Sequence, residues 1–220
     1  MPSTDPANPP GRTEPDPEIA AAKTALRNRL RSLRRTPQGI LSSVNRARNA
    51  SGVSQAHDTF AVYASTETEP SSWTMIDVLY AAGHRILLPV LGPRPDGSAR
   101  TEPDWAVYAG PDRLVPGYAG ILEPTTPALG PDGVRQASLV WCAALAATRS
   151  GDRLGTGGGW YDRALAWADP DALVGVLLRD SEVLETVPTE AFDRQVHLIA
   201  TESGVIRTAA HPEYGGDDAG

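Results

Sequence analysis

The patterned part of the chain opens with a helical stripe. Within residues 18–35 (EIAAAKTALRNRLRSLRR), Ile19, Ala22, Leu26, Leu30 and Leu33 recur at helical spacing with arginines opposite. This predicts an amphipathic helix buried through those apolar residues. Pro37 closes that helix, and a weaker one is predicted through Ile40, Leu41, Val44 and Ala47. Short apolar runs then take over. Strands are predicted at 59–65, 85–91, 138–145, 173–179 and 197–201, with a less regular one at 105–109. Helices are predicted at 73–82, with Gly83 as C-cap, and at 161–168, the latter reached by a long loop running to Gly159. Strands apolar on both faces and alternating with helices specify α/β: a mostly parallel sheet flanked by helices, in a Rossmann-like layered (α/β/α) single domain. Ligands in such sheets bind beyond the carboxyl ends of the strands, which directs attention to the loop after 138–145.

Composition trims this picture at both ends. Pro2, Pro6, Pro9, Pro10, Pro15 and Pro17 crowd a start with almost nothing apolar, so residues 1–17 read as a disordered leader. Residues 208–220 read as a flexible Gly/Asp-rich tail, which leaves 18–207 as the folded domain. A formal net charge of −7 argues against nucleic-acid binding. The single cysteine, Cys142, excludes an intrachain disulfide and a cysteine metal cluster. No apolar run reaches membrane-spanning length and no apolar signal core is present, so a cytoplasmic protein with no membrane partner is expected. His57, His84, His197 and His211 are scattered without metal-ligand spacing.

The chain carries 21 glycines and 20 prolines, and one cluster of the glycines carries candidate chemistry. Residues 152–163 read Asp-Arg-Leu-Gly-Thr-Gly-Gly-Gly-Trp-Tyr-Asp-Arg. Gly155, Gly157, Gly158 and Gly159 let backbone N–H groups approach an anion, and the helix that follows adds the positive end of its dipole. Arg153 and Arg163 flank the loop, and Asp162 is of the type that holds a hard cation beside phosphates. A plain glycine turn before a capped helix is the alternative. A Walker A loop fits worse, since the only lysine is Lys23; a dinucleotide fingerprint fits worse because Trp160 stands where its third glycine belongs.

Residues 153–163, Arg-Leu-Gly-x-Gly-Gly-Gly-aromatic-Tyr-Asp-Arg, resemble the signature of the 5-formyltetrahydrofolate cyclo-ligases (methenyltetrahydrofolate synthetases). Lys23-Thr24-Ala25-Leu26-Arg27 is similar to the family's first Lys-x-x-x-Arg block. Tyr63-Ala64-Ser65 with Glu69, and the strand ending at Pro89, are similar to its second block. Gly120-Ile121-Leu122-Glu123-Pro124 resembles its Gly-Ile-x-Glu-Pro segment, and Val187-Pro188 followed by Asp193 its last block. The resemblance spans 18–207. It implies ATP- and Mg²⁺-dependent cyclisation of 5-formyltetrahydrofolate to 5,10-methenyltetrahydrofolate through a phosphorylated formyl (imino-phosphate) intermediate, releasing ADP and phosphate.

Carried over by position, the resemblance implies ATP binding by Lys23, Thr24, Ala25, Leu26 and Arg27, and by Arg153, Leu154, Gly155, Thr156, Gly157, Gly158, Gly159, Trp160 and Tyr161. It implies folate contacts from Glu69, Thr156, Gly157, Gly158, Gly159 and Trp160, Mg²⁺ ligation by Asp162 and Asp193, and catalytic roles for Arg153 and Lys23. The partners are then folate and ATP, with Mg²⁺ as cofactor. Ala143 and Thr148 stand where the family has proline and an acidic residue, Thr156 replaces arginine or an aromatic, and Trp160 replaces tyrosine or phenylalanine. Two other readings therefore stay open: a relative that binds folate or nucleotide without turnover, and a dinucleotide-dependent oxidoreductase using the same loop.

Overall fold

In the computed structural model the described residues are 16–36, 39–54, 57–190 and 193–212. The leader through residue 15, Pro37 and the tail beyond 212 lie outside them. The first helix, α1 (Pro17–Arg34), begins inside the stretch assigned to the leader because Asp16 caps it, its carboxylate accepting from the backbone N–H of Glu18 at 2.8 Å and Ile19 at 3.4 Å. It buries a different stripe from the one its apolar spacing predicts. Lys23, Leu30 and Arg34 are buried, whereas Ala22 and Leu33 are exposed. The helix docks through charge: Arg34 donates from Nε to Glu182 at 2.7 Å and from Nη2 to the Ala144 carbonyl at 2.7 Å.

The remaining elements follow as α2 (Ile40–Ser54), β1 (Thr59–Val62), α3 (Trp73–Ala81), β2 (Arg85–Val90), β3 (Asp104–Val107), β4 (Leu114–Pro116) and β5 (Leu122–Pro124). After these come β6 (Leu139–Cys142), β7 (Ala146–Thr148), β8 (Arg153–Leu154), α4 (Trp160–Leu165), β9 (Leu173–Leu177), β10 (Val183–Leu184), β11 (Leu198–Ala200) and β12 (Val205–Arg207). Seven strands form one sheet in the order β12-β11-β9-β6-β1-β2-β3. Its interior pairings, β2–β1, β1–β6, β6–β9 and β9–β11, are parallel, and the two edge strands β3 and β12 are antiparallel. The expected mostly parallel, layered α/β sheet is thus the one observed.

Alternation along the strands fills two cores. Phe60, Val62, Leu139 and Trp141 point to the face covered by α2 and α3, with Ala47, Ala50, Met75 and Leu79 packed there. Ala61, Val140, Cys142, Val174 and Val176 point to the other, covered by α4 and the segment Pro131–Gln136 through Ala164, Leu165 and Val134. The long loop expected before Gly159 contains a hairpin instead. β7 pairs antiparallel with β8 and parallel with β10, because Leu145, Ala146 and Leu154 bury against Leu30 of α1 and Val187. Residues 208–211, counted with the tail by composition, are tied in: Thr208 donates to the Val196 carbonyl, Ala209 to that of Arg149, and His211 is buried. No helix of the described residues is long and apolar enough to cross a membrane.

Candidate functional site

Three parallel strands end on one cleft of about 840 Å³. Tyr63 and Ala64 follow β1, Pro89 and Leu91 mark the end of β2, Ala143 follows β6, and all five line it. This is the location a parallel sheet dictates. From α1 come Ala20, Lys23, Thr24 and Arg27, which helical spacing puts on one side of the helix. Ala25 is exposed and Leu26 packs toward Leu30, so these two members of the Lys23–Arg27 block do not line the cleft. The β7–β8 hairpin delivers Arg153 and Leu154, then Gly155, Thr156, Gly157, Gly158 and Gly159, then Trp160, Tyr161, Asp162 and Arg163 at the start of α4. Glu69 and Asp193 also face it. Thr148 does not; it is buried in β7, where its hydroxyl meets Ser150 at 2.6 Å and accepts from the Asp152 N–H at 3.0 Å.

The loop takes its shape from glycine and is fastened by arginine. Gly157 and Gly159 have φ of 105° and 62°, conformations that a Cβ disfavours. Arg27 Nε donates to the Gly155 carbonyl at 3.0 Å and Arg31 Nη2 to the Thr156 carbonyl at 2.5 Å, so α1 holds the loop by its oxygens. Trp160 meets Trp105 and Tyr161 edge-on, with centroids 5.1 and 4.8 Å apart, which fixes its ring at the cleft wall. Glu69 Oε2 accepts from the Thr66 N–H at 2.8 Å and hydroxyl at 2.9 Å, closing its own turn.

The cleft is rich in charge yet balanced. Four cationic side chains line it (Lys23, Arg27, Arg153 and Arg163) against four carboxylates (Glu69, Asp162, Glu190 and Asp193). Lys23 Nζ bridges Glu190 and Asp193, 2.6 Å from each. Burial alone would lower its pKa, but the bonds to the two carboxylates outweigh that and raise it, so the ammonium stays charged. Arg153 pairs with Asp162, and its Nε is buried without a hydrogen-bond partner. The Tyr161 hydroxyl and Glu190 Oε1 are also buried without partners. Burial pushes the Tyr161 pKa well up, which keeps its hydroxyl protonated as a donor. Buried polar atoms normally find partners, so three orphans on the lining residues of one cleft point to a polar ligand.

Among the described residues the cleft offers no thiol or imidazole for covalent catalysis. Cys142 is buried and its thiol is pushed up to about 12 by burial, and no histidine lines the cleft. Among the described residues no three histidine, cysteine or carboxylate side chains gather as a metal cage. Mg²⁺ needs no such cage, since it keeps waters and takes substrate phosphate oxygens beside one or two carboxylates. Asp162 and Asp193 are hard oxygen donors lining the same cleft, and Glu190, whose Oε1 is orphaned, shares Lys23 with Asp193; carboxylates of this kind fit that cation. Sequence reasoning missed Glu190, whose only signal is an acid three residues before Asp193, and Arg31, one helical turn beyond Arg27.

A layered α/β fold with a glycine-walled, ion-paired cleft at the carboxyl ends of its parallel strands is the architecture of a small-ligand enzyme. The model of the 5-formyltetrahydrofolate cyclo-ligase family matches residues 19–202, and the chain belongs to that family of ligases. It is 34% identical over 190 residues to the 5-formyltetrahydrofolate cyclo-ligase of Mycolicibacterium smegmatis, covering 84% of this chain and 96% of that one. It is 30% identical over 154 residues to the Escherichia coli K12 cyclo-ligase, covering 70% and 82%. Among solved structures, the 5,10-methenyltetrahydrofolate synthetase of Aquifex aeolicus shares the fold with a TM-score of 0.68 at 21% identity, over 90% of this chain and 98% of that one. The Mycoplasma pneumoniae synthetase does so with a TM-score of 0.61 at 17% identity, over 82% and 98%.

Proposed function

We propose that this protein couples ATP hydrolysis to cyclisation of 5-formyltetrahydrofolate, giving 5,10-methenyltetrahydrofolate, ADP and phosphate. The observation that carries the reading is the single cleft shared by Lys23, Arg27, the 153–163 loop, Glu69 and Asp193, which lie in four distant parts of the chain. The chemistry asks for positioning and charge neutralisation rather than a protein nucleophile. Lys23, Arg27 and Arg153 bind the phosphates together with loop amides, Trp160 offers a flat face to the pterin, and Glu69 contacts the folate. The formyl oxygen attacks the γ-phosphorus and the bridging phosphorus–oxygen bond breaks to release ADP; the side-arm nitrogen then attacks the formyl carbon and gives up its proton, and the carbon–oxygen bond breaks to release phosphate.

Asp162 and Asp193 are the residues that would hold Mg²⁺, which would supply positive charge beside the phosphate oxygens. Arg153 and Lys23 line the same cleft and would meet the phosphates with their positive charge. We place the activity in the cytoplasm. The test is direct: protein, 5-formyltetrahydrofolate, ATP and Mg²⁺ produce methenyl absorbance, with no product when ATP is omitted. Calorimetric binding of folate or nucleotide with no turnover at high protein concentration would replace this reading with a non-catalytic one.

A further inference from the structure

A carboxylate that does not line the cleft holds part of its wall. Glu123, on β5, is 5% exposed. Its Oε1 accepts from the backbone N–H of Leu91 at 3.0 Å, of Gly92 at 2.9 Å and of Tyr118 at 3.2 Å, and its Oε2 from that of Gly92 at 3.2 Å. Two separate loops thus converge on one side chain. The end of β2 carries Leu91 into the cleft, and the turn between β4 and β5 carries Tyr118 and Ile121 into it. The surroundings are shaped to the carboxylate: a Cβ at Gly117 would lie 2.1 Å from Oε1, and one at Gly92 3.2 Å from Oε2.

No arginine or lysine pairs with Glu123 among the described ion pairs, so amide dipoles meet its charge. A buried carboxylate is tolerated only when such donors are held on it, and the same bonds hold the loops that supply them. The turn it grips is strained. Ala119 has φ 52° and ψ 25°, the one non-glycine residue at positive φ among those described, and strain of this kind persists where surrounding contacts over-determine it. Arg100 adds a bond from its Nε to the Gly92 carbonyl at 2.9 Å.

We propose that Glu123 is a positioning residue for the folate side of the cleft, setting the gap between Leu91 and the Tyr118–Ile121 turn that receives the non-nucleotide substrate. The proposal rests on the cyclo-ligase reading above. The phosphate-facing groups Lys23, Arg27 and Arg153 come from α1 and β8 and make no bond to Glu123, so the two substrates respond differently when it is lost.

The test combines three variants, Glu123→Ala, Gly117→Ala and both together, with Glu123→Gln as the conservative change and thermal melts to confirm folding. Loss of a buried charge-assisted anchor is expected to raise the KM for 5-formyltetrahydrofolate about tenfold in each single variant. The KM for ATP stays within about twofold. The double variant is no worse than the worse single one, because removing the carboxylate vacates the space the Gly117→Ala methyl needs. Glu123→Gln, which keeps an oxygen acceptor, recovers most of the affinity. Independently of turnover, the amide protons of Leu91, Gly92 and Tyr118 exchange faster in Glu123→Ala than in the parent. Equal rises in both KM values, multiplicative effects in the double variant, or unchanged exchange would each overturn the proposal. A parent with no turnover defeats the underlying reading instead, and faster exchange in the variant separates that outcome from failure of the anchor itself.

Discussion

Replacing Asp162 by alanine removes two things at once: the carboxylate proposed to hold Mg²⁺ and the ion-pair partner of Arg153. The Arg153 side chain is 4% exposed and that of Asp162 30%, so the guanidinium is the deeply buried member and its Nε already lacks a partner. Breaking a fully buried pair costs about 3–5 kcal/mol; water reaching the exposed side of Asp162 brings the expected loss to about 2 kcal/mol. For a chain of this size that lowers Tm by about 4–8 °C. Asp162→Asn keeps an amide oxygen for Arg153 and gives up only the negative charge, so its thermal loss is expected to be about half as large. Both variants lose methenyl formation, since neither supplies an anionic ligand to the cation. The assay is initial rate against Mg²⁺ and against ATP, run beside thermal melts. Parent-like turnover and Mg²⁺ dependence in Asp162→Asn would refute the metal role. An unchanged Tm in Asp162→Ala would refute the ion-pair argument.

Other positions give sharp expectations. Gly175 of β9 lies beside Trp141 of β6, and a methyl there would sit 2.6 Å from the indole ring, so Gly175→Ala is expected to cost about 1–3 kcal/mol or more by overpacking. Chemical denaturation reads this, and a midpoint equal to the parent's would contradict it. Burial holds His197 below its ordinary 6.5, and its Nδ1 accepts from the Val174 N–H at 2.9 Å. The unfolded chain therefore binds the proton more tightly, so this contribution to stability is complete above pH 6.5 and is lost as pH falls through that value toward the lower folded pKa. A His197→Asn variant should flatten that acid limb; an acid limb as steep as the parent's would remove His197 from the explanation. Cys142, buried and pushed up to about 12, should resist thiol reagents in the native protein and react only on unfolding. Rapid stoichiometric labelling under native conditions would show the burial to be misjudged.

The central strands are legible in the sequence because both their faces are buried, which leaves unbroken apolar runs such as the one that becomes β2. The docking face of α1 is not. Polarity sets Lys23, Arg27 and Arg34 apart from the apolar stripe, only the resemblance marks Lys23 and Arg27, and the carboxylates that neutralise Lys23 and Arg34 lie 148 to 170 residues away, where no local pattern can reveal them. The β4–β5 and β7–β8 hairpins escape for another reason: strands of two or three residues are too short to show a period. At the site, the glycine loop and Asp162 stand out because their chemistry is contiguous. Glu190 and Tyr118 acquire significance only from where the chain is folded; Glu123 falls in the Gly-Ile-x-Glu-Pro resemblance, but what it holds shows only in the two loops brought to it.

The long reach of the α1 ion pairs also bears on how the molecule comes into being. The helix precedes its partners in the chain by a wide margin: Lys23 meets Glu190 and Asp193 across 167 and 170 residues, and Arg34 meets Glu182 across 148. A growing chain that has not reached Glu182 can pair the inner strands β1, β2 and β6, but it lacks the carboxylates that meet those cations, Glu182, Glu190 and Asp193. Contacts of such separation carry a high closure entropy and form late. Helix α1 is therefore made well before its partners and seats late, and the cleft is completed only with that step.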